Sequence, residues 1–203
     1  MEIVLVVCFS YLSGSIPYGL IFIKIFKGKD VRKIGSGNIG ATNVLRTGNK
    51  FLAALTLFFD VLKGYVPVIV SQYYFPEIIQ LSCLFAFLGH LFPVWLKFRG
   101  GKGVATYLGI LLALSYGLSL LFIFTWIAVL LIFKYSSVSS MFASMTVFFV
   151  TLIKDTALES ISTNLNTDSD LRLILFIFFI LIIFTHKKNI FNLKNKTEQK
   201  IRI

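Results

Sequence analysis

Six apolar stretches, parted by short polar segments that carry most of the charge, leave this chain very few ways to fold. They run over residues 3–23, 51–72, 81–96, 104–133, 141–153 and 171–185, and several are long enough to cross a bilayer. Lipid offers backbone N–H and C=O groups no hydrogen bond, so segments of this kind satisfy themselves as helices. A soluble domain of 203 residues would spread its charges along helix and strand faces. Here 57% of residues are hydrophobic, only 14% are charged, and the mean hydropathy is +0.84. The chain reads as an all-α integral membrane protein forming a single membrane domain over 1–203. With Glu2 and no basic leader ahead of it, the segment 3–23 reads as a retained span, kinked near Gly14, Pro17 and Gly19.

Charge divides the long stretch. Segment 24–50 carries seven basic residues against Asp30, a net of +6, and the tail 186–203 carries six against Glu198, a net of +5. Segment 154–170 carries Lys154 against four acids, a net of −3. The positive-inside rule puts the first two in the cytoplasm and the third outside. An external N-terminus and a cytoplasmic tail require an odd number of crossings. Breaking 104–133 near Ser115-Tyr116-Gly117 gives seven, with spans 3–23, 51–72, 81–96, 104–116, 118–133, 141–153 and 171–185. The two halves are short, crossing roughly 20 Å each at 1.5 Å per residue. The overall charge of +11 therefore reads as orientation and attraction to anionic headgroups, not as nucleic-acid binding.

Three polar stretches then share the cytoplasmic face. The first is Ser36-Gly37-Asn38-Ile39-Gly40-Ala41-Thr42-Asn43-Val44-Leu45-Arg46. Its glycines expose backbone N–H groups, Ser36, Asn38, Thr42 and Asn43 add donors, and Arg46 can clamp two phosphate oxygens at once. Gly35–Gly40 matches G-x-G-x-x-G, but it follows a basic loop and not a strand, which rules out a dinucleotide fold. The second stretch, Phe98 to Thr106, sets Gly100, Gly101, Lys102 and Gly103 ahead of a helix at Val104, a place that favours an anion. Leu96 and Gly103 stand where a Walker A loop needs glycine and Ser/Thr, so ATP chemistry is not supported. The third begins His186-Lys187-Lys188-Asn189, and Ser137 and Ser140 lie in a further polar run on the same face.

Other polar groups read as structural. Asp60 and Lys63, i and i+3 within one span, neutralise each other between helices, and His90 belongs with the packing. Cys8 and Cys83 lie in apolar runs and form no disulfide framework. Apart from His186 and Glu198 the motif stretches hold no imidazole or carboxylate, so no metal and no cofactor is expected.

The stretches Ser36–Arg46, Phe98–Thr106 and His186–Ile190 resemble the signature segments of the bacterial acyl-phosphate:glycerol-3-phosphate acyltransferases, the PlsY family. Tyr11…Gly14-Ser15-Ile16-Pro17, Asp60…Lys63-Gly64…Pro67 and Tyr135…Ser137…Ser140 fit in the same order, so the resemblance covers nearly the whole chain. The tail departs from the pattern: Lys187, Asn192 and Lys196 stand where two arginines and a glycine are usual, while Glu198 keeps the acid. The resemblance implies transfer of an acyl group from acyl phosphate to the 1-hydroxyl of sn-glycerol 3-phosphate, in a bacterial cell membrane and facing the cytoplasm. Lysophosphatidic acid and phosphate would be the products, and acyl phosphate, glycerol 3-phosphate and membrane lipid the partners.

Roles follow from that chemistry. Lys102, Arg46 and the Gly100–Gly103 backbone hold phosphate and offset charge on the leaving group. Ser36, Asn38, Thr42, Asn43, Ser137 and Ser140 fix orientation, and His186 and Asn189 orient glycerol phosphate. The base is either His186 or a substrate phosphate oxygen. Neither His90 nor His186 has the aspartate of a His-x₄-Asp pair, since Trp95 and Phe191 stand there. An acyl phosphate is already activated, so positioning and charge stabilisation suffice. The alternative is a transporter or exchanger of organic phosphates, although the first motif has no counterpart after residue 104 to mark an inverted repeat.

Overall fold

The computed structural model describes residues 1–28, 30–153 and 169–201. Ten α-helices and no strand occur among the described residues: α1 (Glu2–Ser15), α2 (Tyr18–Lys27), α3 (Ala41–Leu45), α4 (Lys50–Tyr74), α5 (Ile79–Leu91), α6 (Val104–Leu114), α7 (Tyr116–Phe133), α8 (Ser136–Ile153), α9 (Ser169–Thr185) and α10 (Lys187–Lys194). Four stretches are long and apolar enough to cross a membrane: Glu2–Lys27, Lys50–Tyr74, Pro76–Leu96 and Tyr116–Phe133. A fifth arises if Leu171–Thr185 and Lys187–Lys194, bent by 52°, count as one span. Every apolar segment expected from the sequence is helical, but α6 and α8 are short. The 104–133 stretch does divide at Ser115, whose backbone is extended and whose hydroxyl accepts from Leu118 N–H at 3.4 Å to cap α7. Most of the acidic segment, 154–168, lies outside the described residues.

The chain forms two compact units, Met1–Ala113 and Leu114–Ile203. In the first, α1 packs on α4 and α5 through small residues. A Cβ on Gly14 would overlap the Ala86 carbonyl oxygen, and one on Gly89 would overlap that of Tyr11. Ser10 and Ser82 hydrogen-bond across the same seam at 2.9 Å. Gly64 and Gly109 bring α4 equally close to α6, against the carbonyls of Thr106 and Val61. Without a hydrophobic drive in lipid, such close backbone packing and interhelical hydrogen bonds are what hold helices together.

Prolines break the first span and disturb the second. The kink expected near Pro17 is a complete interruption: α1 stops at Ser15, Ile16 is extended, and α2 starts at Tyr18. The Ile16 carbonyl accepts from Tyr18 N–H at 3.1 Å and from Lys63 Nζ at 2.7 Å, and Lys63 pairs with Asp60 at 2.7 Å one turn earlier on α4. Pro67 removes the N–H that would bond the Lys63 carbonyl. Ser13 Oγ replaces it weakly, at 3.4 Å.

In the second unit, α8 packs on α7 and α9. Phe148 of α8 stacks on Phe179 with ring centroids 5.8 Å apart and meets Phe176 at 5.1 Å. Ser119 and Phe122 of α7 face inward, whereas Leu120, Phe124, Ile127 and Leu131 form an exposed stripe of the kind that meets lipid.

The α1–α5 seam is open to test. Replacing Gly14 with Ala should destabilise the protein by about 1–3 kcal/mol, because the added methyl meets helix backbone that has no rotamer to change. Gly40→Ala meets nothing tighter than an ordinary contact and should leave stability unchanged. Thermal unfolding of the purified protein in detergent checks this, and equal midpoints for the two variants would argue against backbone-level packing at Gly14.

Candidate active site

The first motif is folded around Asn43. Its Nδ2 donates to the carbonyls of Val31 (3.0 Å), Ile34 (2.9 Å) and Asn38 (2.7 Å), and its Oδ1 accepts from Ser36 N–H at 2.9 Å. One buried amide therefore gathers a twelve-residue loop. Asn38 Oδ1 accepts from Gly40 N–H at 3.0 Å, tightening the turn into α3. Gly35 and Gly37 adopt left-handed φ of 54° and 74°, and a Cβ at Gly35 would collide with Asn43 Oδ1. The apolar members Val31, Ile39 and Val44 stake the loop into a cluster with Ile23 and Leu52. Ahead of it, Arg32 forks onto Asp30 at 2.7–3.1 Å, and those hydrogen bonds hold the Asp30 carboxyl down at about 2. Arg46 lies half-buried with Cδ against Gly35, beside Ser36.

The glycine loop is docked on the end of α5. Gly100 N–H donates to Leu91 O at 3.0 Å and Gly101 N–H to His90 O at 3.1 Å. A Cβ on Gly101 would overlap the His90 imidazole at Nε2, and one on Gly103 would overlap the Phe87 ring. Gly100 and Gly101 thus spend their N–H groups on α5, contrary to the expectation that their backbone grips phosphate. The N–H groups in the first turn of α6 have no acceptor within the helix. Lys102 is half-buried at that helix start. Upstream, Lys97 and Phe98 hold left-handed φ of 51° and 60°. Trp95 Nε1 donates to Ser15 Oγ at 2.8 Å and Tyr11 Oη donates to Phe92 O at 2.7 Å, tying this approach to α1.

The second unit carries its own polar cluster, centred on Glu198. Ser137 Oγ (2.9 Å) and Asn189 Nδ2 (2.6 Å) both donate to Glu198 Oε1, and Asn192 Nδ2 reaches Oε2 at 3.3 Å. His186 is buried, with Nδ1 2.8 Å from the Ile182 carbonyl. A carbonyl only accepts, so Nδ1 carries a proton, and when the ring is neutral Nε2 is its accepting nitrogen. Ser140 donates to Ser136 O at 2.8 Å and accepts from Trp126 Nε1 at 3.1 Å, which makes it part of the α7–α8 contact. Lys196 holds a left-handed φ of 57°, a conformation glycine adopts without strain.

Ser36, Asn38, Thr42, Asn43, Arg46 and the Lys102 loop therefore belong to the first unit, and Ser137, Ser140, His186 and Asn189 to the second. Glu198, the acid that the tail keeps, is the side-chain carboxylate of a strongly basic segment and the acceptor on which Ser137, Asn189 and Asn192 converge. His90 gave no signal beyond its nearness to the glycines. No group of three or more His, Cys, Asp or Glu side chains is arranged to hold a metal among the described residues.

Known proteins share this sequence and fold. The profile of the glycerol-3-phosphate acyltransferase family matches residues 4–196. The glycerol-3-phosphate acyltransferase of Pelagibacter ubique (strain HTCC1062) is 48% identical over 203 residues, all of both chains. That of Brucella anthropi is 47% identical, covering 95% of this chain and 90% of the relative. The fold is similar to the crystal structure of PlsY (YgiH), an integral membrane glycerol 3-phosphate acyltransferase, in its glycerol 3-phosphate form. The TM-score is 0.90 at 32% identity, over 100% of this chain and 96% of that one. The lysophosphatidic acid form of PlsY gives 0.85 at 30% identity, with the same coverage. An all-helical integral membrane acyltransferase is the class these observations define. The chain belongs to the glycerol-3-phosphate acyltransferase family. This membership sets aside the exchanger alternative.

The loop organised by Asn43 gives a direct test. Asn43→Asp keeps the acceptor for Ser36 but turns a second oxygen toward three carbonyls. Transfer should fall by at least about tenfold, the worth of one to two hydrogen bonds, while membrane insertion is unaffected. Turnover per inserted protein, with limited proteolysis of 30–46, measures both effects. Normal turnover would remove Asn43 from loop organisation.

Proposed function

We propose that the chain transfers an acyl group from acyl phosphate to the 1-hydroxyl of sn-glycerol 3-phosphate. Products are 1-acyl-glycerol 3-phosphate (lysophosphatidic acid) and inorganic phosphate. The observation that carries this reading is the Lys102 loop, docked by its first two glycines so that a lysine and a helix start present positive charge together. The hydroxyl oxygen attacks the acyl carbonyl carbon, the acyl C–O bond to phosphate breaks, and phosphate leaves with the bonding pair. The hydroxyl proton passes to His186 Nε2 or to a substrate phosphate oxygen. Lys102, Arg46 and the N–H groups from Gly103 into α6 offset charge on the departing phosphate. Ser36, Asn38 and Thr42 orient the substrates, and Asn43 acts through the loop it organises. His186 and Asn189 align glycerol phosphate, with Ser137, Ser140 and Glu198 holding them in place.

In this reading the chain makes seven crossings. The N-terminus is outside, and both polar clusters face the cytoplasm of a bacterial inner membrane. The charge distribution supports that orientation. Single cysteines placed in 35–47, 97–103 and 187–198 should label from the cytoplasmic side alone. Labelling of the tail from outside would mean an even number of crossings and separate the two clusters.

Donor choice follows from the charge. An acyl thioester presents no phosphate at the thioester carbon for Lys102 to grip, so it should be a poor donor whatever its chain. With acyl phosphate as sole donor and chelator present, wild-type protein should turn over fully. Lys102→Met should lose most activity, and Arg46→Lys at least about tenfold, because charge remains but bidentate geometry does not. Efficient thioester use or a strict magnesium requirement would overturn the donor assignment.

A further inference from the structure

Four buried polar side chains in the unit Met1–Ala113 take no part in the chemistry above: Asp60, Lys63, His90 and Thr106. They meet directly beneath the glycine loop. Thr106 Oγ1 and His90 Nδ1 share a hydrogen bond at 3.1 Å, and Asp60 Oδ1 lies 3.9 Å from the same nitrogen. Asp60 pairs with Lys63 at 2.7 Å, and Lys63 reaches across to the Ile16 carbonyl at 2.7 Å.

His90 touches the loop at both ends. Its carbonyl takes the Gly101 N–H where the loop begins. Its ring lies against Gly101, where a Cβ would overlap Nε2. Its Nδ1 bonds Thr106, in the first turn of the helix into which the loop runs. Lys102 therefore sits in a short arch whose two feet stand on one imidazole. A buried ion pair is weak ground for stability, since well-packed apolar residues often serve as well or better. What Asp60 and Lys63 add is fixed direction: they hold α4 to the break in the first span and set a carboxylate beside the His90 ring.

We propose that His90, Thr106 and the Asp60–Lys63 pair form a positioning network that sets the Lys102 loop against substrate phosphate and ties its placement to the helix break at Ile16. His90 and its partners are positioning residues and touch no substrate. The inference rests on the reading that the Lys102 loop grips phosphate, so its test carries a control for that reading.

Purified protein in lipid nanodiscs is assayed with acyl phosphate and glycerol 3-phosphate for KM, for kcat per folded enzyme and for thermal midpoint. Thr106→Val keeps shape and removes the hydroxyl. It should raise KM for at least one phosphate substrate by about fivefold or more, the worth of one buried hydrogen bond, with little change in midpoint. Thr106→Ser, which keeps the hydroxyl, should recover most of that loss. The double variant Asp60→Leu/Lys63→Met removes both charges together and should still fold, with a modest loss of midpoint because Tyr18 N–H continues to serve the Ile16 carbonyl, yet raise the same KM per folded enzyme. Wild-type KM and kcat in Thr106→Val and in the double variant, with Lys102→Met inactive, would overturn the network alone. Loss confined to the amount of folded protein would overturn it too, by making these residues purely structural. If Thr106→Val does not fold, the double variant decides by the same criteria. Full activity in Lys102→Met would overturn the underlying reading of the loop instead.

Discussion

A helix broken inside lipid leaves carbonyls that need donors, and at Ile16 the Tyr18 N–H and the Lys63 ammonium converge on one such oxygen. Pro17 ends α1 where the span is still apolar. Lys63 answers from α4 with a charged donor, and a lone ammonium at bilayer depth would itself cost roughly 2.5–3.5 kcal/mol. Asp60 neutralises it from the preceding turn. One broken helix thus calls in a lysine, the lysine calls in an aspartate, and the aspartate lands beside His90 under the glycine loop. Removing either charge alone would strand the other, at about 3–5 kcal/mol. The polar interior is a chain of consequences, each link forced by the one before.

The two polar clusters are built on different plans. In the first unit, loops are shaped by glycines at left-handed φ and nailed down by Ile39 and Val44 of the motif, with Val31 just ahead of it. Its cationic side chains are carried on a frame ordered by the chain's own contacts. In the second unit, helices provide the frame, and a single carboxylate draws Ser137, Asn189 and Asn192 toward one point. Neutral amides and a hydroxyl surround that charge, which leaves the basic residues of the tail for other work.

Helices and their breaks could be read from the sequence because lipid permits little else. The apolar runs fixed where the helices lie, and the 30-residue run 104–133 had to divide, as it does at Ser115. Boundaries were less visible: α8 begins at Ser136, five residues before its apolar run, because Ser139 and Ser140 satisfy themselves against carbonyls one turn back. Composition alone singled out the polar loops, where glycines stand beside hydroxyls, amides and a fixed cation. It did not reveal which groups are spent on the fold. Asn43, Gly100 and Gly101 look like ligands in one dimension, and their hydrogen bonds go to the chain itself. His90 was hidden for the opposite reason. Its contacts with Gly101 and Thr106 lie 11 and 16 residues away, and local pattern carries no trace of them.

The position of Glu198 along the chain has a bearing on biosynthesis. It lies beyond α10, and its partners Ser137 and Asn189 wait in helices already made. While the ribosome is still adding the tail, the helices can be in the membrane with the cluster around His186 incomplete. Its last partner is made after every helix that contributes to it, so a product ended before Glu198 would sit in the bilayer without a finished second cluster. Helix insertion and completion of that cluster are therefore separate events in time.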